Sequence, residues 1–345
     1  MSKTLEDRLS ELKTGLRAME QAWERTRASP GQFPEAAPWD GPAVPAPVWL
    51  GREDLLDWLT AEVRRRSGIA AGLQLRGKID RLVDALPAPE LPGWVQRLAS
   101  LDRDHPDWLA IFEALTIHET YFLRDFGQLD FMRRTALAEV IGRERRQPWP
   151  RLRLWSAGCS TGEEVYSLAM LVLEALLEAG EAVPGPDGRP LVDPRWSISV
   201  LGTDLSRRAL LTAEAGTYPD FGLGPFRNMP ERYWRHFTPE TGVTAAGGCG
   251  KVYRIGPELR NVTRFQLFNL AGREPPENEI DIALCRNVMI YFDSEGKRRV
   301  LEMLHRALRP GGHVLLGPTD VPADPTLFKV VWGPATVIYR KREDG

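Results

Sequence analysis

The stretch DIALCRNVMIYFDSEGKRRVLEMLHRALRPGGHVLLG, residues 281–317, reads as one apolar strand, one amphipathic helix and a second apolar strand in succession. Ile280 to Arg286 is the kind of short apolar run that a strand buried on both faces requires, and it stops at the polar pair Arg286-Asn287. Ser294 can cap the helix, in which Val300, Leu301, Leu304 and Leu308 recur at helical spacing. Arg309, Pro310, Gly311 and Gly312 then stop it, and His313 to Gly317 follows as the second strand. In open α/β sheets the ligand sits outside the carboxyl ends of the strands, which places Arg286, Asn287 and Tyr291 at a site.

Working outward, 345 residues suit two or three domains. A net charge of -2 suggests neither a nucleic-acid surface nor a disordered acidic chain. The three cysteines, Cys159, Cys249 and Cys285, lie far apart and lack CxxC spacing, which argues against a disulfide framework or a zinc site and for a reducing, cytoplasmic setting. No run approaches the ~20 apolar residues of a membrane span, and the N-terminus lacks a basic-then-apolar export pattern, so neither insertion nor export is expected.

From the start of the chain, Leu5, Leu9, Leu12, Leu16, Met19 and Trp23 step by fours and threes, the seam of a coiled-coil-like helix over residues 1–27. Self-association, docking to a helical partner and packing on its own protein are all open readings of that stripe. Pro30, Pro34, Pro38, Pro42, Pro45 and Pro47 mark residues 28–51 as a semi-extended linker. Over 52–123 the pattern is helical: Leu55, Leu56, Leu59 and Val63 share a face, Gly68 can end that helix, and Asp107 can cap a later one. Arg64, Arg65, Arg66, Arg76, Lys78 and Arg81 give this part a basic side, either a solvated face or a docking surface for an acidic partner.

From Leu152 strands and helices alternate, which indicates an α/β domain over 124–345. The strand LRLWSA leads into Gly158-Cys-Ser-Thr-Gly-Glu-Glu164 and a long apolar helix. A glycine turn there lets a ligand approach backbone, and the helix N-terminus offers free N–H groups. The strand Ser197 to Thr203 ends at Asp204, suited to a ribose hydroxyl pair or to capping a helix together with Ser206. Residues 216–263 interrupt the rhythm as an inserted antiparallel β unit. VTRFQLF reads as a further buried strand ending at Asn269-Leu270, and Phe328 to Tyr339 as a closing hairpin. The glycine turn lacks GxGxxG and GxxxxGK[ST], which disfavours a nicotinamide dinucleotide or a nucleoside triphosphate. A nucleoside without a phosphate chain remains, and S-adenosylmethionine fits that description.

The motifs ETYFLRD, WSAGCSTGEEVYSLAM, GTDLS, FNL and CRNVMIYFD occur in an order and separation that resembles the CheR family, the S-adenosylmethionine-dependent methyltransferases that esterify glutamates of bacterial chemoreceptors. The resemblance runs from about Arg52 to Arg340. It implies a doubly wound, Rossmann-like class I methyltransferase domain with an inserted small antiparallel β subdomain, preceded by a small all-helical domain. Position by position it implies cofactor contacts from His118, Thr120, Arg124, Glu164, Asp204, Asn269, Leu270, Arg286 and Asn287. Arg124 and Tyr291 are implied beside the transferred methyl. It further implies S-adenosylhomocysteine as product, the cytoplasmic helical region of a receptor as partner, and a receptor tail peptide added to the β subdomain.

Three positions depart from the family pattern: His118 stands for the usual asparagine, Leu123 for phenylalanine, and Gly317-Pro-Thr-Asp320 for a GHSE-like text. A competing class is a non-catalytic regulator that keeps the cofactor pocket as a sensor or scaffold.

Overall fold

The computed structural model describes residues 51–70, 72–85, 91–103, 105–116, 119–220, 224–243, 249–272, 274–318, 320, 322 and 326–342. The expected helix of residues 1–27, the linker up to residue 50, and His118 lie outside the described residues.

Four helices come first: α1 (Arg52–Ser67), α2 (Gly72–Asp84), α3 (Leu91–Ser100) and α4 (Pro106–Leu115). Their apolar stripes meet in one core that includes Leu55, Leu59, Val63, Ile79, Leu98, Trp108 and Phe112. Gly68 ends α1 in the left-handed conformation, at φ 75°. A side chain there would also collide with Phe292, whose ring carbon lies 2.6 Å from the position of a Cβ. The start of α4 differs from expectation. Its cap is His105, whose Nδ1 accepts from the Asp107 N–H, because Pro106 occupies the first helical position and moves the boundary back.

The expected basic side is largely consumed internally. Arg66 is buried over the Trp108 ring, Arg65 pairs with Glu62, Arg64 with Asp293, and Arg76 with Glu53 and Asp57; Lys78 donates to the Leu115 carbonyl.

Helix α5 (Phe126–Met132) continues through a π turn (Arg133–Leu137) into α6 (Ala138–Glu144). The sheet follows, built from β1 (Arg151–Ala157), β4 (Ser197–Asp204), β8 (Thr263–Leu267), β9 (Ile280–Cys285), β10 (Leu308–Leu316), β11 (Phe328–Trp332) and β12 (Val337–Lys341). Their order is β11-β12-β10-β9-β1-β4-β8, parallel from β10 to β8, with β12 and β11 antiparallel at one edge. The strands β2 (Ala182–Pro184) and β3 (Pro190–Val192) form a separate hairpin after α7 (Glu163–Glu178).

Alternation along β1 sorts its residues between layers. Leu152 and Leu154 join α7 in one core, and Trp155 and Ala157 join α10 (Ser294–Ala307) in the other. This is the doubly wound α/β architecture expected, with helices covering both faces of a mostly parallel sheet.

Three local expectations need correction. Leu308, expected on the helix, opens β10, and Arg309 to Gly312 belong to that strand, whose pairing with β9 shifts register between Leu308 and His313. The cap of α10 is Asp293, which accepts from the Gly296 N–H, so Ser294 is already helical. And β8, expected as a buried strand, is only half-buried because it is the outer strand of the sheet.

After α8 (Arg207–Ala215), β5 (Thr217–Pro219), β6 (Phe237–Val243) and β7 (Cys249–Ile255) form a separate antiparallel sheet in the order β5-β7-β6. It is the small antiparallel unit expected. His236 fastens it to the main core: its ring is fully buried, with Nε2 3.0 Å from Glu174 on α7 and Nδ1 2.8 Å from Glu258 on the short α9 (Pro257–Arg260). Burial opposes the charged imidazolium, but the hydrogen bonds to Glu174 and Glu258 prevail and raise its pKa.

The imidazolium therefore contributes stability that is full below the unfolded pKa near 6.5 and is lost as pH rises through the raised folded value. The difference in Tm between wild type and His236→Gln is expected to shrink by roughly 2 °C or more between pH 6 and pH 9 in thermal unfolding. A constant difference across that range rejects the charged assignment.

Candidate functional site

The strand order reverses at β1, because the chain continues to β4 on one side and places β9 on the other. The crevice outside the carboxyl ends at such a point is where α/β sheets bind ligands. Here it is a cleft of about 850 Å³, including its open mouth. Thr120, Arg124, Glu164, Asp204, Asn269, Leu270, Arg286, Asn287 and Tyr291 all line it, so every described site residue expected from sequence converges there. Ser67, Ile69, Thr116, Glu119, Gly158, Cys159, Ser160, Leu205, Phe268, Val288 and Phe292 complete its walls.

Backbone geometry at the cleft is unusual in a consistent way. Leu123, Asp125, Ser160 and Asn287 have φ of 56°, 54°, 50° and 58°, a left-handed region that costs a non-glycine residue energy. Gly158, at φ 83°, makes the turn after β1, and a Cβ on it would stand 2.4 Å from Val288 Cγ2. The Val288 side chain after β9 thus packs against the turn too closely for any side chain at position 158.

Arg286 organises one end of the cleft. Its side chain is 1% exposed and lies 3.1 Å from Glu164 and 2.8 Å from Asp125. It donates further to Gln128 Oε1 at 2.9 Å and to the Arg124 carbonyl at 2.8 Å. Glu164 also accepts from Ser156 Oγ at 2.7 Å. Its neighbour Glu163 instead points into the core, where burial pushes its carboxyl up to about 7 despite the Thr161 hydroxyl bonded to it.

Asp204 is fixed by two backbone donors, Ser160 N–H at 2.8 Å and Ser206 N–H at 2.9 Å. The Asn269 side chain lines the cleft but is used structurally: it donates to the Arg66 carbonyl at 2.7 Å and accepts from Ala271 N–H.

The helical unit supplies the facing wall through Ser67, Ile69 and Thr116. Besides Asn269–Arg66, Ala70 N–H donates to the Tyr291 carbonyl at 2.8 Å, and Ser206 Oγ bonds Glu113. Tyr291, on a short 3-10 turn (Met289–Tyr291), packs against the core of the helical unit. Sequence reading missed this wall, because Ser67, Ile69 and Thr116 reach the cleft only through helix packing that no local pattern encodes. Gln128 and Asp125 were missed for the same reason, although Asp125 sits inside the ETYFLRD motif.

The donor set decides what kind of ligand suits the cleft. Arg286, at its inner end, already has its guanidinium engaged by two carboxylates, an amide oxygen and a carbonyl, so it is poorly placed to hold a phosphate chain. Glu164 and Asp204 bring carboxylates that favour a cationic ligand, and the Asp204 carboxylate, oriented by two backbone N–H groups, is an acceptor of the kind a diol uses. A phosphate-free nucleoside carrying positive charge fits.

Comparison with known proteins agrees with that chemistry. The family model described as CheR methyltransferase, SAM binding domain, matches residues 118–337. Chemotaxis protein methyltransferase 1 of Pseudomonas aeruginosa is 32% identical over 234 residues, 67% of this chain and 77% of the relative. Chemotaxis protein methyltransferase Cher2 of Pseudomonas putida is 29% identical over 233 residues, 67% of this chain and 76% of the relative. A chemotaxis protein methyltransferase of Vibrio parahaemolyticus is 30% identical over 212 residues, 61% of this chain and 68% of the relative. With its sheet, its cleft at the switch point and a family match over most of its length, the chain belongs to the CheR methyltransferase family, and its cofactor is S-adenosylmethionine.

Proposed function

We propose that the protein is a cytoplasmic protein-glutamate O-methyltransferase that esterifies glutamate side chains on the helical region of a chemoreceptor or a similar coiled-coil signalling protein. The observation that carries the reading is that Arg124 and Tyr291, from two separate segments, line the same cleft as Asp204 and Glu164. S-adenosylmethionine supplies an electrophilic methyl on a sulfonium. A glutamate carboxylate is ionised at neutral pH, so no general base is required of the protein. Its task is in-line placement of the incoming oxygen and exclusion of water from a weak nucleophile.

In this reading Arg124 orients the carboxylate through paired N–H bonds, and the Tyr291 hydroxyl fixes its second oxygen. Asp204 holds the ribose hydroxyls, and Glu164 faces the cationic part of the cofactor. Thr120, Asn269, Leu270 and Asn287 complete the pocket. Arg286 acts mainly by holding Glu164 and the Arg124 backbone in place, which its internal hydrogen bonds support. The same reading divides the chain into a helical domain, residues 52–123, and a methyltransferase domain, residues 124–345, with the β subdomain at 216–263 open to addition of a receptor tail peptide.

The test is transfer of radiolabelled methyl from S-adenosylmethionine to a receptor cytoplasmic fragment, followed by mild base. Label released as methanol is the expected result, since a carboxyl ester hydrolyses under those conditions. Base-stable label places the methyl on nitrogen or carbon and rejects the glutamate assignment.

A further inference from the structure

Beside the cleft, a second arginine is arranged around the same motif as Arg124. The segment just before the 3-10 turn Glu231–His236 is pressed onto residues 119–124: Phe122 N–H donates to the Pro225 carbonyl at 2.9 Å. Phe226 stacks on Phe122 with ring centroids 5.1 Å apart. This docking places the Arg227 guanidinium 3.9 Å from the centroid of the Tyr121 ring, with that of Arg124 5.9 Å from the same centroid. Both arginines converge on Glu119, which lines the mouth of the cleft. Arg124 Nη1 donates to its carbonyl at 2.8 Å, and Arg227 Nη2 to its carboxylate at 2.9 Å. The Nε of Arg227 is buried and has no acceptor among the described residues.

We propose that Arg227 is a substrate-recognition residue that takes an acidic side chain neighbouring the glutamate being methylated, in a place that Glu119 holds until the substrate arrives. The proposal rests on the carboxylate-methyltransferase reading of the cleft.

Three features carry it. Glu119 is 68% exposed and Arg227 only 21%, so the pair is a partly desolvated cation facing an exposed anion that a competitor can replace. Arg227 is held in position by the aromatic stack, independently of Glu119. And the two guanidinium groups are at most about 10 Å apart by their distances to one ring. Carboxylates one helical turn apart, with Cβ atoms roughly 5–6 Å from each other and flexible side chains beyond, match that span. A substrate helix bearing two acids on one face therefore places one at Arg124 and the other at Arg227. The Arg227 guanidinium also holds the Glu119 carboxyl below the usual range, as a substrate acid in its place would be held.

The test uses the full chain with S-adenosylhomocysteine present, and two fluorescent synthetic helical peptides. One carries two glutamates a turn apart, and in the other the flanking glutamate is glutamine. By anisotropy, Glu119→Gln is expected to bind the two-glutamate peptide roughly two- to fivefold tighter than wild type, the range open to an exposed ion pair. The gain disappears with the single-glutamate peptide and in high salt. Arg227→Ala weakens the two-glutamate peptide selectively, and Arg227→Lys restores part of the loss.

A tightening by Glu119→Gln cannot come from misfolding, which only weakens binding. Equal affinity of wild type and Glu119→Gln, identical behaviour of the two peptides, or no binding by either protein overturns the proposal. Methyl transfer measured in parallel separates the two readings: the expected binding pattern without base-labile label rejects the function and leaves the recognition site standing.

Discussion

Replacing Arg124 with alanine is expected to lower kcat by roughly 100-fold or more, the cost of removing a donor placed on the reacting group. Affinity for S-adenosylhomocysteine is expected to change by less than about threefold. The separation arises because Arg124 leans toward the mouth of the cleft, over Tyr121 and against the Glu119 carbonyl, whereas Asp204 stands at the end of β4. Tyr291→Phe, which keeps the ring packed on the helical core and removes only the hydroxyl, is expected to follow the same pattern at about a tenth of the wild-type rate. Single-turnover methyl transfer and calorimetric titration of the product measure the two quantities independently. Equal losses in both reduce Arg124 and Tyr291 to cofactor contacts.

The second large effect belongs to Asp204→Ala. The wild-type carboxylate is oriented by the N–H groups of Ser160 and Ser206, so the acceptor is in position before any ligand arrives. A pair of hydrogen bonds to a charged acceptor, at about 1.5 to 3 kcal/mol each, corresponds to a weakening of S-adenosylhomocysteine by roughly 100-fold or more. Titration of the folded variant decides it, with circular dichroism as the control for folding. A change of less than about threefold returns Asp204 to the role of a loop fastener between the turn after β1 and the start of α8.

The sheet was readable in the sequence because its central strands are buried and end abruptly in polar residues. Ile280 to Cys285 is apolar apart from Asp281, and Arg286 begins the site one residue later. The cleft was readable for a related reason: Asp204, Asn269 and Asn287 stand at or just past strand ends that the topology brings together. Boundaries were less legible where two residues compete for one role. Asp293 and Ser294 can both cap α10, as His105 and Asp107 can both cap α4, and the backbone angle that decides between them is not written in either side chain. The edge position of β8 was not recognised because sheet order is set by long-range pairing, although Arg264 and Gln266 already interrupt its apolar residues. Nor could sequence distinguish a solvated basic face from a paired one; Arg76 finds Asp57 and Glu53 only once α1 and α2 are side by side.

The seam between the helical unit and the strand ends has a consequence for communication. Ser67 and Ile69 form part of the cofactor wall, while the same end of α1 is tied to Asn269, and Ala70 to Tyr291. Any displacement of that end of α1 would therefore move two residues of the cofactor wall with it. If a partner favoured one posture of the helices and thereby changed the affinity of the cleft by some factor, a filled cleft would change the affinity for that partner by the same factor.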